Sequence, residues 1–427
     1  MKKLLTLLSV FILLTPSSMA ITLDECYEKA KANYPLIEQY QLTERLKDYS
    51  FVNASSAWIP QLVLSGQATY QSAVTEFPDE MTAMYEKVGL DIQGLNRDQY
   101  KLMLALTQTI WDGGTSKAQK DVARADAEIA NLQVEKELDA LNSRINQIYF
   151  GVLVLTENLQ TNLYMDTLLQ NNLKQMQSAL DNGMVMQSDF DQIKVEILTL
   201  RQQRTQLTHT INAYRQVLSL FIGETIADYE PFVRPSIPII DKEANNRTEL
   251  RLFDAQIAKN EAQRRQINSL VMPRFDLFAQ GWYGRPGLNL FDDMINNNFS
   301  FNAIAGIRLN WNISGLYTHK NKLNQLKTAN DAIEVQRKTF VWNLNLQQSQ
   351  IEQEIEKMSQ LKADDNEIVE LRKSIRKTSE SKYQNGTITM SDLLRDITNE
   401  NNAIQTRTLH ELDLLRKIYD LKLTLNQ

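Results

Sequence analysis

The sequence predicts a mainly α-helical protein with a smaller β component, built as two similar halves. Short motifs recur at fixed distances along the chain. Each half has a pair of segments in which apolar and polar residues alternate, the pattern of β-strands. Each half also has a proline-free segment of more than 60 residues with apolar residues at heptad-like spacing, which predicts a long helix.

The first 20 residues are expected to form a secretory signal peptide. Lys2 and Lys3 precede an apolar run over residues 4–14, and small residues at Ser18 and Ala20 favour cleavage before Ile21. An uncleaved anchor is the alternative, but the run is shorter than the roughly 20 residues that a spanning helix needs.

The composition after this leader excludes several classes of protein. Removal of the two leader lysines leaves 44 basic and 52 acidic residues, a formal charge of −8, so no basic surface for nucleic acid is expected. Cys26 is the only cysteine, which rules out an intrachain disulfide and favours a small buried thiol on a helix. The longest later apolar run, residues 148–155, is too short to span a membrane as a helix. The protein is therefore either soluble outside the cytoplasm or membrane-embedded through β-structure.

Two sets of motifs define the internal repeat. Residues 58–60 match residues 271–273 at an offset of 213, and each of these segments ends in a proline, Pro60 or Pro273. The segment that begins at Ile110 and the pair Asn182-Gly183 match Ile313 and Asn385-Gly386 at an offset of 203. The ten-residue difference predicts a longer loop between Pro60 and Ile110.

The repeat gives the expected domain organisation. The chain divides into a signal peptide (1–20), a first repeat (21–222), a linker (223–246) and a second repeat (247–427). Each repeat begins with a helix of roughly 25–30 residues. Thr22 and Glu25 are placed to cap the first with a capping box. The second runs from about Glu249 to Met272, and each ends beside a proline. The first repeat then has a strand pair (61–111) and a helical hairpin (115–222), and the second has its equivalents (274–313 and 316–427).

The predicted strands have one apolar and one polar face. Residues 62, 64, 66, 68 and 70 form one such face, and even-numbered residues from Tyr100 to Ile110 form another. Such alternation over about ten residues is typical of membrane strands but is equally compatible with a half-buried soluble sheet. The segments between the strands, residues 73–98 and 285–298, are expected to be loops.

Each long helix, Thr115–Leu180 and Thr318–Gln384, is expected to turn back at its Asn-Gly pair. Ser188 and Ser391 are candidate caps of the returning helices, with Asp189 and Asp392 in the first turn. Apolar stripes should pack the helices. The first comprises Leu138, Leu141, Ile145, Ile148, Val152, Leu155, Leu159 and Leu163, and the second Ile351, Ile355, Met358, Leu361, Ile368, Leu371 and Ile375.

A membrane location for the strands would require oligomerisation. Four strands cannot close a barrel, for which about eight is the minimum, and lipid does not tolerate open sheet edges. Strands from several copies would have to close one barrel, and the long helices would form a second tube.

The order of these motifs resembles that of the TolC-like outer membrane efflux proteins. The resemblance rests on the helix ending at residues 58–60, the strand pair, residues 112–114, the long helix and residues 183–190, and on the repetition of this order. It implies a homotrimer with a 12-stranded outer-membrane β-barrel and a periplasmic α-barrel of coiled-coil helices. It further implies passive export as the exit duct of a tripartite efflux or type I secretion system.

The resemblance also assigns roles to the hairpin turns. It matches Asp392 to an aspartate of a pore constriction and Tyr383 to a gate latch. Asp396 and Asp189 are further candidates for the constriction, and a charge at the helix N-terminus is the alternative role for Asp392 and Asp189. Arg395 and Ile388 stand where relatives can carry a second aspartate and a latch arginine. Contacts with a periplasmic adaptor, itself coupled to an inner-membrane transporter of the RND, ABC or MFS type, are expected at Gly183, Met184, Val185, Gly386, Thr387 and Ile388.

An enzyme is not expected, and no cofactor is predicted. His209, His319 and His410 lie far apart on predicted helices without catalytic or metal-ligand spacing, and they are expected to be exposed. The segment Asp112-Gly113-Gly114 is a turn and lacks the lysine of a phosphate loop. The main alternative is a soluble periplasmic or surface coiled-coil protein, such as an adaptor or a structural rod.

Overall fold

The computed structural model describes residues 20–92, 94–228 and 230–427. The predicted signal peptide therefore lies outside the described residues except for Ala20. The fold class is confirmed, since long helices and a four-stranded sheet make up the protomer. The elements are α1 (Leu23–Asn33), α2 (Glu38–Ser55), β1 (Gln61–Tyr70), α3 (Asp79–Lys87), β2 (Asp98–Trp111), α4 (Thr115–Asp181), α5 (Gln187–Ile222), α6 (Thr248–Ser269), β3 (Arg274–Arg285), α7 (Leu290–Asn296), β4 (Ser300–Asn310), α8 (Leu316–Gln384) and α9 (Met390–Thr424).

The chain forms two compact units, each of which combines segments of both halves. The sheet unit comprises Gln41–Asn131 and Leu252–Arg337 and holds all four strands. The helical unit comprises the chain up to Tyr40 together with Leu132–Arg251 and Lys338–Gln427, and it holds both hairpin turns. The tandem division into repeats at 21–222 and 247–427 stays a prediction about the origin of the chain.

The sheet is antiparallel throughout, with strand order β1-β2-β3-β4. Both outer strands are ten or more residues long, and each pairs on one side only. One irregularity lies in β2 between Thr109 and Trp111, where the register to β3 shifts. This bulge places Trp111 opposite Phe275, so Trp111 joins the face on which the simple alternation predicted Ile110.

The first predicted helix is broken in two. Thr22 caps α1 through a capping box with Glu25, as the sequence predicted. The helix then ends before Pro35, and a short 3-10 turn precedes α2. Proline disfavours the helical conformation of its predecessor, and Tyr34 is extended here, with φ −69° and ψ 124°. Cys26 lies buried on α1, where burial raises the pKa of its thiol to about 12.

Both predicted loops between strands contain a short helix, α3 in the first and α7 in the second. Ile92, Leu95 and Met294 form a small buried cluster there, and the rings of Phe77 and Phe291 stack with their centroids 6.0 Å apart. The expectation of irregular loops was therefore wrong in part. Apolar side chains from the two segments bury one another, a long-range contact that neither segment reveals alone.

Two apolar cores stabilise the helical unit. The larger joins α1, α4, α5 and α9 around Tyr149, Phe150 and Ile145. The smaller lies near the hairpin turns and contains Met165, Leu169, Met176, Ile193, Ile197, Leu200, Met390, Leu393 and Ile397. No helix among the described residues is long and apolar enough to cross a membrane.

The predicted apolar stripe of the second hairpin is not its buried face. Leu361, Ile368, Leu371 and Ile375 are exposed on the single chain. The buried positions of this part of α8 are instead Asp365, Val369, Arg376 and Ser379. In the first hairpin the predicted stripe is largely buried, with Leu138, Leu141, Ile145 and Val152 in the core. Heptad spacing identifies an apolar face but does not determine what covers it.

Candidate functional site

The sheet has one continuous apolar face. Strand register brings Leu64, Leu104, Gly281 and Ala303 side by side, and the same alignment continues along all four strands. These apolar side chains are unusually exposed. Leu64 is 68% exposed and Ile307 is 69% exposed, although both lie in the interior of their strands.

The opposite face is more polar and, on the central strands β2 and β3, less accessible. On β2, Leu102, Leu104 and Leu106 are exposed, whereas the intervening Lys101 and Met103 are half-buried. A soluble sheet buries its apolar face against the protein core and exposes its polar face. On the central strands this exposure is reversed, which is the arrangement expected of a surface that meets another apolar environment.

Aromatic residues stand at both ends of the apolar face. Tyr283 and Phe301 are aligned at the end near the short helices α3 and α7, and Tyr100 lies one position further along the same face. Trp111 and Phe275 align at the other end, with ring centroids 6.0 Å apart. Aromatic girdles that flank an apolar band are characteristic of membrane strands, because their amphipathic rings suit the lipid–water interface.

A polar cluster lies on the other face near this second end. Asp276 is 3% exposed, and its carboxylate accepts hydrogen bonds from Thr109 (2.9 Å), Arg274 (3.0 Å) and Asn310 (3.1 Å). Three neighbouring strands are thereby joined through one buried, well-satisfied charge. This cluster was not anticipated from the sequence, because its members are separated by more than 30 residues from one strand to the next.

The Asp112-Gly113-Gly114 turn connects the sheet to α4. Asp112 accepts hydrogen bonds from the backbone N–H groups of Gly114 (2.9 Å) and Ser116 (2.7 Å), which caps the helix. These bonds lower the pKa of the buried Asp112 carboxyl despite its desolvation. Gly113 has φ +68°, and a β-carbon on it would lie 2.8 Å from that of Met272, so only glycine fits.

The two hairpin turns have the same backbone geometry. Gly183 and Gly386 adopt φ of +69° and +68°, and the next residue's N–H in each case bonds to a carbonyl five residues earlier, at 2.9 Å. Asn182 and Asn385 each donate a side-chain hydrogen bond to the carbonyl four residues before them. This is the left-handed glycine termination that the sequence predicted for both.

The returning helices are capped differently from the prediction. Met186 and Thr389 occupy the N-cap positions, not Ser188 and Ser391, which lie inside the first turns. Met186 supplies no side-chain cap, whereas Thr389 forms a capping box with Asp392. The serine prediction failed because each N-cap lies two residues before the predicted serine.

Asp392 combines several interactions at the second turn. Its carboxylate accepts hydrogen bonds from the Thr389 hydroxyl (2.7 Å) and N–H (3.2 Å), and Arg395 lies 3.1 Å away. The hydrogen bonds from Thr389, aided by the Arg395 charge, hold the pKa of Asp392 below its usual value. Asp392 therefore has a capping role, and a role in a pore constriction stays a prediction.

The other predicted tip residues occupy distinct surroundings. Asp396 accepts a hydrogen bond from the Ser379 hydroxyl at 2.6 Å, across the second hairpin. The Tyr383 hydroxyl lies 3.8 Å from the sulfur of Met176, so it joins the second hairpin to the first. Burial, and secondarily the negative charge of Asp189, raise the pKa of Tyr383.

The residues of the two turns differ in how far they are exposed to solvent. Met184 is exposed, as are Gly183, Gly386 and Thr387. Val185 and Ile388 instead pack against the smaller core beneath the turns. Exposure at these tips therefore differs from residue to residue, and none of their predicted contacts with an adaptor is tested by a single chain.

A buried ion pair near the tip was not anticipated from the sequence. Arg376 on α8 pairs with Glu400 on α9, which is 2% exposed, and with Glu380 one turn along its own helix. The pair lies about one helical turn from the Ser379–Asp396 hydrogen bond in the same hairpin. One pattern in the sequence could have predicted that these residues are buried, because Arg376 and Ser379 continue a heptad-like series from Val369.

The histidines are less exposed than expected. His209 is exposed, but His319 is half-buried and lies 2.9 Å from the side-chain oxygen of Asn268. His410 is half-buried, and its Nδ1 lies 2.9 Å from Asp365, across the second hairpin. No group of acidic, histidine or cysteine side chains suited to a metal ion occurs among the described residues.

Comparison with solved structures supports this fold over nearly the whole chain. The outer membrane protein VceC of Vibrio cholerae is 14% identical, with 94% of each chain covered and a TM-score of 0.66. The outer-membrane channel OprN is 15% identical, with 94% of this chain and 89% of that chain covered and a TM-score of 0.66. The CmeC outer membrane channel of Campylobacter jejuni is 12% identical, with 94% and 85% covered and a TM-score of 0.64.

The search of curated proteins found no match to this sequence. Residues 26–224 match the model of the outer membrane efflux protein family. That segment contains most of α1, the first strand pair and the complete first hairpin. The first half of the chain therefore matches the outer membrane efflux protein family, and the whole chain shares the fold of the solved outer-membrane proteins VceC, OprN and CmeC.

Proposed function

We propose that the chain is one subunit of a homotrimeric outer-membrane channel through which substrates leave the cell passively. The reversed exposure of the sheet carries this proposal, because an exposed apolar face with aromatic ends is suited to lipid. The helical hairpins would extend into the periplasm and form the duct of a tripartite efflux or type I secretion system.

The sheet edges support assembly into a closed structure. β1 and β4 each leave one edge without a strand partner, and both carry exposed apolar side chains. Open edges are not tolerated in lipid, so β4 of one copy is proposed to pair with β1 of the next. Three copies would supply 12 strands in this way.

The exposed stripe of α8 also supports a homotrimer. Leu361, Ile368, Leu371 and Ile375 are at least 44% exposed on the single chain. Such a row on a long helix suits packing against a helix of a neighbouring copy.

The hairpin tips are proposed to form the gate. Asp392, Asp396 and Asp189 would surround the constriction, and Tyr383 would hold the second hairpin against the first. A periplasmic adaptor, coupled to an inner-membrane transporter, would contact the tips at Gly183, Met184, Val185, Gly386, Thr387 and Ile388. The solvent exposure of Met184 and Thr387 favours these two as direct contacts.

A matched pair of lysine substitutions tests the membrane location. Leu64 and Ser65 are adjacent on β1 and both exposed, but they lie on the apolar and polar faces respectively. Leu64→Lys should cost roughly 2–4 kcal/mol in lipid and reduce recovery from the outer-membrane fraction, whereas Ser65→Lys should be tolerated. A soluble protein would accept both substitutions equally well.

The assembled state is tested by extraction and conductance. We expect the protein to resist a carbonate wash, to need detergent for extraction, to have the mass of a trimer and to conduct ions in planar bilayers. A monomer that washes off without detergent and does not conduct would contradict the proposal and favour a soluble coiled-coil protein.

Block by multivalent cations tests the constriction. Asp392→Ala should weaken block applied from the periplasmic side, because an acidic ring attracts such ions. Asp189→Ala is the comparison in the first hairpin, and the Arg395→Gln variant should strengthen block by removing a nearby positive charge. Unchanged block in the Asp392 variant would remove this residue from the constriction.

A further inference from the structure

The polar face of the sheet carries an excess of positive charge. Its cationic side chains are Lys101, Arg274 and Arg308, and Asp276 is the only carboxylate among the strand residues of this face. The Asp276 carboxylate is already occupied by Arg274, Thr109 and Asn310. Among the described residues, Lys101 and Arg308 therefore form no ion pair within this face, although Arg308 stands opposite Asp276 on the neighbouring strand.

Both free cations lie over aromatic rings. The Lys101 ammonium is 4.3 Å from the centroid of Trp282, whose side chain is buried. The Arg308 guanidinium is 4.6 Å from the ring centroid of Phe278. Cation–π contact orients a charge without neutralising it, so each side chain is held in place and its charge stays available to an anion. Neither residue forms an ion pair within the described part of the chain.

The two cations occupy different levels of the sheet. Lys101 is aligned with Gly284 and Arg308 with Asp276, two positions that lie eight residues apart on β3. At about 3.3 Å per residue, this is roughly 26 Å along the strand. In a closed trimer, each residue would form a ring of three cations, one ring toward each end of the strand region.

We propose that Lys101 and Arg308 make the strand-lined part of the duct selective for anionic solutes. This inference rests on the proposed channel function, in which the polar face lines the lumen. A duct lined by one sign of charge and enclosed by low-dielectric walls concentrates counterions, and rings of lysine or arginine are the arrangement that selects anions. Small anions, and larger solutes that carry carboxylate, sulfate or phosphate groups, are the preferred class.

The acidic tips and the basic strand region would act in series. Total selectivity therefore depends on both segments, whereas the change caused by a substitution in the strand region reports on that segment alone. Neutralising Lys101 or Arg308 should lower the anion contribution without altering the tips.

The test measures the reversal potential of trimers in planar bilayers across a KCl gradient. Lys101→Gln and Arg308→Gln should each shift the reversal potential toward that of K⁺, and the double variant should shift it further. Lys101→Arg and Arg308→Lys are the matched controls and should leave it unchanged, because they keep the charge. The two single variants are independent, so a folding defect in one leaves the other informative.

The outcomes separate this inference from the channel proposal. Conducting channels whose reversal potential is the same in the wild type and in both glutamine variants would overturn the role of Lys101 and Arg308. A shift in the arginine and lysine controls equal to that in the glutamine variants would also overturn it. Absence of any conductance in the wild type would overturn the channel proposal and this inference together.

Discussion

The two helical hairpins share a backbone but differ in what fills the space between their helices. The turns match in conformation at Gly183 and Gly386, which lie 203 residues apart. At the same offset, Leu173, Met176, Ile193 and Ile197 of the first hairpin correspond to Arg376, Ser379, Asp396 and Glu400 of the second. Apolar packing in one has been replaced by paired charges and hydrogen bonds in the other.

The outer surfaces of the two hairpins also differ, because the second hairpin is the one with the exposed apolar residue. Leu168 of the first packs against its own core, whereas Leu371, its counterpart in the second, is 57% exposed on the single chain. At this position the first hairpin buries its leucine within the chain, and the second leaves its leucine exposed on the single chain, where the proposed trimer would cover it.

The largest expected effect comes from breaking the buried ion pair. Arg376→Leu leaves Glu400 buried without a partner and should destabilise the second hairpin by about 3–5 kcal/mol. The double variant Arg376→Leu/Glu400→Ile installs the residues of the first hairpin and should recover most of this loss. Hydrogen exchange of α8 and α9 amides measures both. Equal protection in the single and double variants would show that the charge pair is not coupled.

A second comparison separates folding from assembly. Leu371→Glu should weaken the trimer while leaving the chain folded, because its side chain has few contacts within the chain. Burial of a leucine contributes roughly 1.5–3 kcal/mol, and a trimer would lose three such contacts. Leu168→Glu should instead unfold the tip of the first hairpin. The measurements are mass in detergent and helical circular dichroism, and a stable trimer of the Leu371 variant would contradict the assigned interface.

The helix caps allow a test with a smaller expected effect, in which a cap is removed from one returning helix and added to the other. Thr389→Ala should cost about 1 kcal/mol by removing the cap of α9. Met186→Thr should stabilise α5 by a similar amount, because Asp189 already stands where it can close a capping box. Amide exchange in the first turns of the two helices measures these effects. If the Met186→Thr variant showed no increase in amide protection, neighbouring residues would have to prevent the capping box from forming.

The smallest expected effect is a pH dependence limited to the second tip. The pKa of Asp392 is lowered in the folded state, so its stabilising contribution is present above its ordinary value of 3.8 and is lost as the pH falls through the folded value. Protection of the first turn of α9 should decline over that acidic range. The decline should be weaker in Thr389→Ala, which lacks the principal hydrogen-bond donor, and an identical profile in both proteins would contradict this origin.

Much of the fold could be read from neighbouring residues. Thr22 with Glu25, the prolines at 60 and 273, and the Asn-Gly pairs act within one or two turns of the chain, and they predicted the ends of most elements closely. Period-two alternation likewise predicted all four strands. Local hydrogen bonding and backbone conformation decide such features, and both are encoded in contiguous residues.

The candidate site was only partly accessible in this way. The sequence predicted that Asp392 stands in the first turn of its helix, but not that Thr389 caps it. It predicted apolar faces on the strands, but the reversed exposure and the pairing of Lys101 with Trp282 needed the register of the sheet. Contacts between residues more than 100 positions apart leave no local pattern to recognise.

The sequence by itself determined the duplicated order of helices and strands, because each element is defined by periodicity and by signals at its ends. Only the tertiary structure decided which apolar face is covered within the chain and which is left for a partner. The physical reason is that burial depends on what lies opposite a side chain. Arg376 could be buried because Glu400 lies across from it, and Leu371 is exposed because no side chain of the described residues covers it.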